Sequence, residues 1–194
     1  MVAFDFDAAL RWARFDPGKT LARRPDESLP FRWLAGTGAG ELLLDTCVYI
    51  DAFQAKQPAE INVLLKNVFS NHSTVALQEM MHVIGRLNPD HAGTVAVRKQ
   101  IETAIKKIPD HRLFTPDADV LGRAALLAGI LCRLQGYQKD QKFQALNDCV
   151  LYLQAVKLGV TVLTANIADF DFLLQLVPAG KVLFYRPDTP ADKN

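Results

Sequence analysis

Four acidic residues occupy positions where a carboxylate is either a structural device or a chemical one. Asp45 closes the apolar run Leu42-Leu43-Leu44-Asp45-Thr46, and Glu79 ends Ser73-Thr74-Val75-Ala76-Leu77-Gln78-Glu79 in what reads as the first turn of a helix. Asp148 interrupts an apolar helix face in Ala145-Leu146-Asn147-Asp148-Cys149-Val150-Leu151. Asp169 stands in Thr164-Ala165-Asn166-Ile167-Ala168-Asp169-Phe170, just after a strand-like run. Taken singly, Asp45 is a turn former, Glu79 a first-turn acid favoured by the helix dipole, and Asp169 a helix cap. Asp148 resists such a reading. An acid flanked by Cys149, Val150, Tyr152 and Leu153 on a packed helix is costly unless it is paired or binds a cation. Lys157 lies too far along the helix to be an i+4 partner. The chemistry these residue types offer together is that of converging carboxylates.

Other familiar patterns break down on inspection. Gly18-Lys19-Thr20 ends like a phosphate-binding loop, but the earlier glycine falls at Ala13. Gly36-x-Gly38 precedes a strand instead of following one, which is the wrong order for a dinucleotide fingerprint. Phe4-Asp5-Phe6-Asp7 resembles the opening of haloacid-dehalogenase-like phosphatases, yet Ala8-Ala9 replaces their Gly-Thr, and a surface helix start explains both acids. Glu79-x-x-His82 has di-iron ligand spacing without the second copy that such a bundle requires. His72, His91 and His111 show no short metal-ligand spacing, and there is no Gly-x-Ser-x-Gly.

The acids need elements to position them. Leu42 to Asp45 reads as a buried parallel strand. Residues 59 to 69 place Ile61, Leu64, Leu65 and Val68 at helical spacing, Ser73 to Ala76 reads as a second strand, and Leu77, Met80, Met81 and Ile84 form a helix after it. Further helices are expected at 95–108, 119–135 (opened by Pro116, closed by Gly136) and 143–158 (stopped by Gly159), with a short extended piece at 111–114. Val160 to Thr164 is the clearest strand and Lys181 to Tyr185 the last. This alternation predicts an α/β fold, a doubly wound and mostly parallel sheet flanked by helices. In such sheets functional groups gather outside the carboxyl ends of the strands. Asp45 and Asp169 should meet there, with Glu79 joining from the neighbouring strand–helix junction. Residues 1–40 differ in texture: an amphipathic patch (Phe4, Leu10, Trp12, Phe15) gives way to Asp16-Pro17-Gly18, Arg23-Arg24-Pro25 and Gly36-Thr37-Gly38-Ala39-Gly40. The expected layout is a helical and irregular extension over 1–40, one domain over 41–186, and a tail over 187–194.

Composition bounds the class. In 194 residues, 49% hydrophobic and 22% charged is the balance of an ordinary globule long enough to need no disulfide or zinc staple. The 22 basic and 21 acidic side chains leave a net charge of +1, which excludes a bulk polycation and not a nucleic-acid enzyme with a local basic rim. Cys47, Cys132 and Cys149 are odd in number, well separated and without Cys-x-x-Cys spacing, as expected of thiols in a reducing cytoplasm. The acidic N-terminus does not look like a secretory signal, and no apolar run reaches the ~20 residues of a membrane span.

Three segments then line up with one family. Leu42-Leu43-Leu44-Asp45-Thr46-Cys47-Val48-Tyr49-Ile50 is similar to an opening strand usually written Leu-Leu-Asp-Thr-Asn-Val-Leu-Ile. Ser73 to Glu79 matches Ser-x-x-x-x-x-Glu, and Leu146-Asn147-Asp148, an apolar helix, Gly159 and Thr164-x-Asn166-x-x-Asp169-Phe170 match a closing pair of motifs. In the order and spacing of all four acids, residues 41–186 resemble the PIN-domain ribonucleases, most closely the toxin subunits of VapBC-type toxin–antitoxin pairs. Two departures stand out. Cys47 replaces the usual Asn, and residues 1–40 have no counterpart in the small toxins.

The resemblance implies a PIN-like fold and a metal-dependent endoribonuclease that hydrolyses single-stranded RNA or tRNA loops. It assigns Asp45, Glu79, Asp148 and Asp169 as catalytic metal ligands, supported by Thr46, Thr164 and Asn166, with Asp171 as a rival to Asp169. Four converging carboxylates repel one another, a divalent cation relieves this, and hard oxygen donors suit Mg²⁺ or Mn²⁺ better than zinc. An acidic centre also needs basic contacts for phosphate. Arg86, Arg98, Lys99, Lys106, Lys107 and Arg112 form one candidate rim, and Arg11, Arg14, Arg23 and Arg24 another. Expected partners are the RNA, a cognate antitoxin and a second copy of the chain, and no membrane. The Cys47 departure leaves an alternative: a catalytically impaired PIN-like scaffold that binds RNA or protein.

Overall fold

Short apolar strands separated by long helices leave the chain one economical arrangement, a sheet buried on both faces. In the computed structural model, which describes residues 4–31 and 40–189, the order is α1 (Phe6–Leu10), β1 (Leu42–Leu44), α2 (Thr46–Phe53), α3 (Ala59–Asn67), β2 (Ser70–Ser73), α4 (Thr74–Arg86), α5 (Thr94–Lys106), β3 (Leu113–Phe114), α6 (Ala118–Gln135), α7 (Lys139–Leu158), β4 (Thr161–Thr164), α8 (Ile167–Leu176) and β5 (Lys181–Phe184). The Gly36-x-Gly38 pair and the end of the tail, 190–194, lie outside the described residues. The five strands pair in the order β3-β2-β1-β4-β5, every pair parallel. The sheet is thus wholly parallel, as the βα alternation predicts, and its winding reverses between β1 and β4.

Period-two alternation divides the core. Leu43, Val162, Val182 and Phe184 point to the face covered by α6, α7 and α8. Leu42, Leu44, Leu163, Leu183 and Tyr185 point to the face covered by α2 to α5. Gly180 approaches α7 closely: a Cβ there would lie 2.3 Å from the Tyr152 ring, whose hydroxyl donates to the Val177 carbonyl at 2.5 Å.

Several boundaries differ from the sequence expectation, and at three of them a side-chain cap sets the difference. The second strand is Ser70–Ser73, not Ser73–Ala76. The Ser73 side chain accepts from the Val75 N–H at 3.1 Å and caps α4, so the β-branched Thr74 and Val75 lie in a first helical turn. Glu79 consequently sits in the second turn of α4, not the first. Helix α7 begins at Lys139, four residues before 143, because the Gln141 side chain accepts from the Gln138 N–H at 2.8 Å. Helix α6 is capped by Asp117, which accepts from the Val120 N–H at 3.0 Å, and starts at Ala118.

The N-terminal extension is a strap on the domain. Trp12, Phe15 and Leu21 pack on the α6–α8 side, and Leu29 and Phe31 are buried in it. Phe31 forms a parallel bridge with Phe184, and the Phe184 N–H donates to the Pro30 carbonyl at 2.9 Å, so the strap covers the β5 edge.

Candidate active site

The reversal of winding between β1 and β4 opens a crevice at the carboxyl ends of those strands, the place where open α/β sheets bind ligands. Asp45 is the first residue beyond β1. It caps α2 by accepting from the Thr46 N–H at 2.6 Å, and its second oxygen accepts from the Thr164 hydroxyl at 2.6 Å across the crevice. The Cys47 thiol also donates to that oxygen at 3.0 Å and in turn accepts from the Ala165 N–H at 3.2 Å. The cysteine therefore links Asp45 to the β4–α8 turn.

Glu79 reaches the crevice from α4. The Thr46 hydroxyl donates to one of its oxygens, and the Asn147 amide donates to the other at 2.8 Å. Asp148, next to Asn147 on α7, is buried and accepts from the Asn166 amide at 3.0 Å. The same amide donates to Asp169 at 3.0 Å, so one Asn166 side chain spaces two carboxylates. Asn166 is also the cap of α8, which places Asp169 in the first helical turn instead of at the cap. The four acids thus converge from β1, α4, α7 and α8, joined by Thr46, Asn147, Thr164 and Asn166.

Their electrostatics follow from burial with little counter-charge: His82, one turn along α4, is the one cationic group that acts on Glu79 among the described residues. Among the described residues no Lys or Arg forms an ion pair with any of the four. Burial pushes the Asp148 carboxyl well above the ordinary range, and the charges of Asp45, Asp169 and Glu79 add to it. Asp45 is raised by burial against the pull of Thr164, Cys47 and the Thr46 N–H. Glu79 is raised by burial, opposed by its bonds from Thr46 and Asn147. Among the described residues no three Asp, Glu, His or Cys side chains are drawn into one coordination shell; amides and hydroxyls space them instead. As a donor set they are hard oxygens whose charges oppose one another, the type of donor that a small divalent cation takes.

Asp171 is not part of this group. It is buried and accepts from the Arg24 backbone N–H at 2.7 Å, the Arg24 Nε at 2.6 Å and the Gln175 amide at 3.0 Å. Arg24, expected at a basic rim, instead ties the strap to α8, and Arg23 pairs with Asp26. Lys106 pairs with Glu102, and Arg112 is bound to Glu41 and Asn71 while stacking over Phe69. Asp5 caps α1, in keeping with a surface helix start. Sequence reasoning missed Tyr137, whose hydroxyl donates to Asp169 from the α6–α7 turn, and Asn147, which holds Glu79. Asn147 could have been found from its place beside Asp148 on the same apolar helix. Burial and the bond to Asp169 raise the Tyr137 phenol well above its usual range, so it stays a donor.

No helix is long and apolar enough to cross a membrane among the described residues. No family model matches the chain, and no curated protein sequence does. Solved structures do. VapBC2 from Rickettsia felis, bound to a DNA fragment from its promoter, matches at 13% identity and TM-score 0.52, over 75% of this chain and 98% of the matched one. FitAcB from Neisseria gonorrhoeae matches at 15% and 0.53, over 74% and 96%. FitAB bound to an IR36 DNA fragment matches at 17% and 0.52, over 74% and 93%. At these identities the likeness is one of architecture: this chain has the PIN-like α/β fold shared with the VapBC2 and FitAB structures.

Proposed function

We propose that this chain is a divalent-metal-dependent endoribonuclease, the toxin of a toxin–antitoxin pair acting in the cytoplasm. One observation carries the reading: four carboxylates from four elements converge at the switch point of the sheet with no Lys or Arg paired to any of them among the described residues. Asp45, Glu79, Asp148 and Asp169 are the residues that would hold Mg²⁺ or Mn²⁺. When bound, the cation supplies neutralising charge and Lewis acidity toward a phosphodiester and the water that attacks it.

The chain's own groups do the positioning. Asn166 keeps Asp148 and Asp169 side by side, and Thr164 with the Thr46 N–H fixes the Asp45 rotamer. Glu79, held at both oxygens by Thr46 and Asn147, is the group that orients the attacking water. The thiol of Cys47 donates to Asp45, so the acid keeps an orienting partner where the family pattern has Asn. That contact favours an active enzyme over the scaffold alternative. The antitoxin and a homodimer belong to the same proposal, supported by the motif resemblance and by the likeness in fold to VapBC2 and FitAB.

The test is cleavage of single-stranded RNA by purified protein in Mg²⁺ or Mn²⁺. EDTA should abolish it, and Asp148→Asn should reduce it by at least about 100-fold, the scale of losing a group that acts on the transition state. Cleavage that persists in Asp148→Asn places the chemistry elsewhere. Wild-type protein that binds RNA but neither binds a divalent cation nor cleaves is the scaffold.

A further inference from the structure

Helices α4 and α7 meet in rungs that run outward from the acids. Glu79 and Asn147 make one rung through their 2.8 Å hydrogen bond. His82 and Phe143 make the next, with ring centroids 5.8 Å apart and planes at 66°. The step is three residues forward on α4 and four back on α7, about one helical turn on each. This second rung faces solvent, with His82 exposed and Phe143 45% exposed. Another turn outward on the same faces brings Arg86, four after His82, and Lys139, four before Phe143. Both are exposed, and neither forms an ion pair among the described residues.

Leaving the site along this line, a ligand meets carboxylates, then rings, then cations. A single exposed aromatic residue is ordinary and needs no explanation. Here the ring is braced against an imidazole, one turn from the acids, with two uncommitted cations beyond it. A nucleotide matches that order: its base offers a flat face for stacking, and its neighbouring phosphate offers the charge for Arg and Lys. We propose that His82 and Phe143 form a stacking subsite for one unpaired nucleobase beside the cleaved phosphodiester, with Arg86 and Lys139 holding the next phosphate. The subsite rests on the nuclease reading, and only an unpaired base could occupy it, because a base inside a duplex has both faces covered.

Fluorescence anisotropy of the full chain in EDTA tests it, using fluorescein-labelled ten-nucleotide oligouridine and an abasic ribose-phosphate chain of the same length. Oligouridine should bind about tenfold more tightly than the abasic chain. Phe143→Ala should erase that difference and Phe143→Trp should keep it, while Arg86→Ala should weaken both ligands alike. Circular dichroism melts confirm that each variant is folded. Equal affinity for the two chains, or a preference that survives Phe143→Ala, overturns the subsite and leaves this face to a protein partner. The nuclease reading fails separately. Base-dependent binding without Mn²⁺-dependent cleavage overturns that reading alone, and cleavage without base-dependent binding overturns the subsite alone.

Discussion

Asp169 and Asp171 are two residues apart on α8, and the structure gives them opposite work, which makes their separation measurable. Asp171 is wholly buried and accepts three hydrogen bonds, two from Arg24 and one from Gln175. Arg24→Ala removes the side-chain donor but leaves the backbone N–H and Gln175 in place. Because the Arg24 side chain is 39% exposed, its charge is partly screened, so the loss should be about 1.5–2 kcal/mol, the lower part of the range for a charge-assisted bond. Asp171→Ala strands all three donors at a buried site and should cost about 3–5 kcal/mol. At ~2–4 °C per kcal/mol for a chain of this size, the melting temperature should fall by about 3–8 °C and about 6–20 °C respectively. Asp169→Ala loses the bonds from Tyr137 and Asn166 but relieves a charge that disfavours ionised Asp148, so it should cost less stability than Asp171→Ala, and it should abolish metal-dependent cleavage. Calorimetric melts in EDTA give the stabilities, and Mn²⁺ titration of the folded variants gives the site. An Arg24→Ala variant as stable as the parent, or a folded Asp171→Asn variant that no longer binds Mn²⁺, would refute this division of labour.

Other outcomes follow from the same contacts. Asp148, Asp45 and Glu79 are held above ordinary carboxylate values chiefly by burial, so between those values and their raised ones the native protein binds more protons than the unfolded chain. The carboxylates' contribution to metal-free stability should therefore be fullest in the acid range and be lost as pH rises toward neutrality, while His72, whose imidazole is lowered by burial, contributes with the opposite sign; the urea midpoint of wild type relative to Asp148→Asn in EDTA should accordingly fall between about pH 5 and about pH 8. Gly180→Ala should lower stability by about 1–3 kcal/mol in urea titration, because the added methyl group meets the buried Tyr152 ring. Cys47→Ala removes a donor to Asp45 and should lower kcat/KM by roughly fivefold, about 1 kcal/mol, while Cys47→Ser should stay close to wild type.

What the sequence disclosed depended on how far each signal reached along the chain. Strands β1 and β4 are apolar runs ended by Asp45 and Thr164, and a parallel sheet follows from their alternation with helices. Strand β2 is not legible in the sequence because Ser70-Asn71-His72-Ser73 carries no apolar pattern; Asn71 is buried through its bonds with Glu41 and Arg112. Asp148 announced itself because a charge on an apolar helix face is expensive wherever the helix packs. The pairing of Arg24 with Asp171 spans 147 residues of sequence and could not be read from spacing. Tyr137 lies in a turn whose only local mark is Gly136, so its contact with Asp169 emerges only where the α6–α7 turn meets α8.

A crystal structure of the protein soaked with Mn²⁺, with anomalous differences collected at the manganese edge, tests the central claim most directly. The expected result is an anomalous peak enclosed by Asp45, Glu79, Asp148 and Asp169, absent in Asp148→Asn. A peak elsewhere, or none among these carboxylates at saturating Mn²⁺, would contradict it.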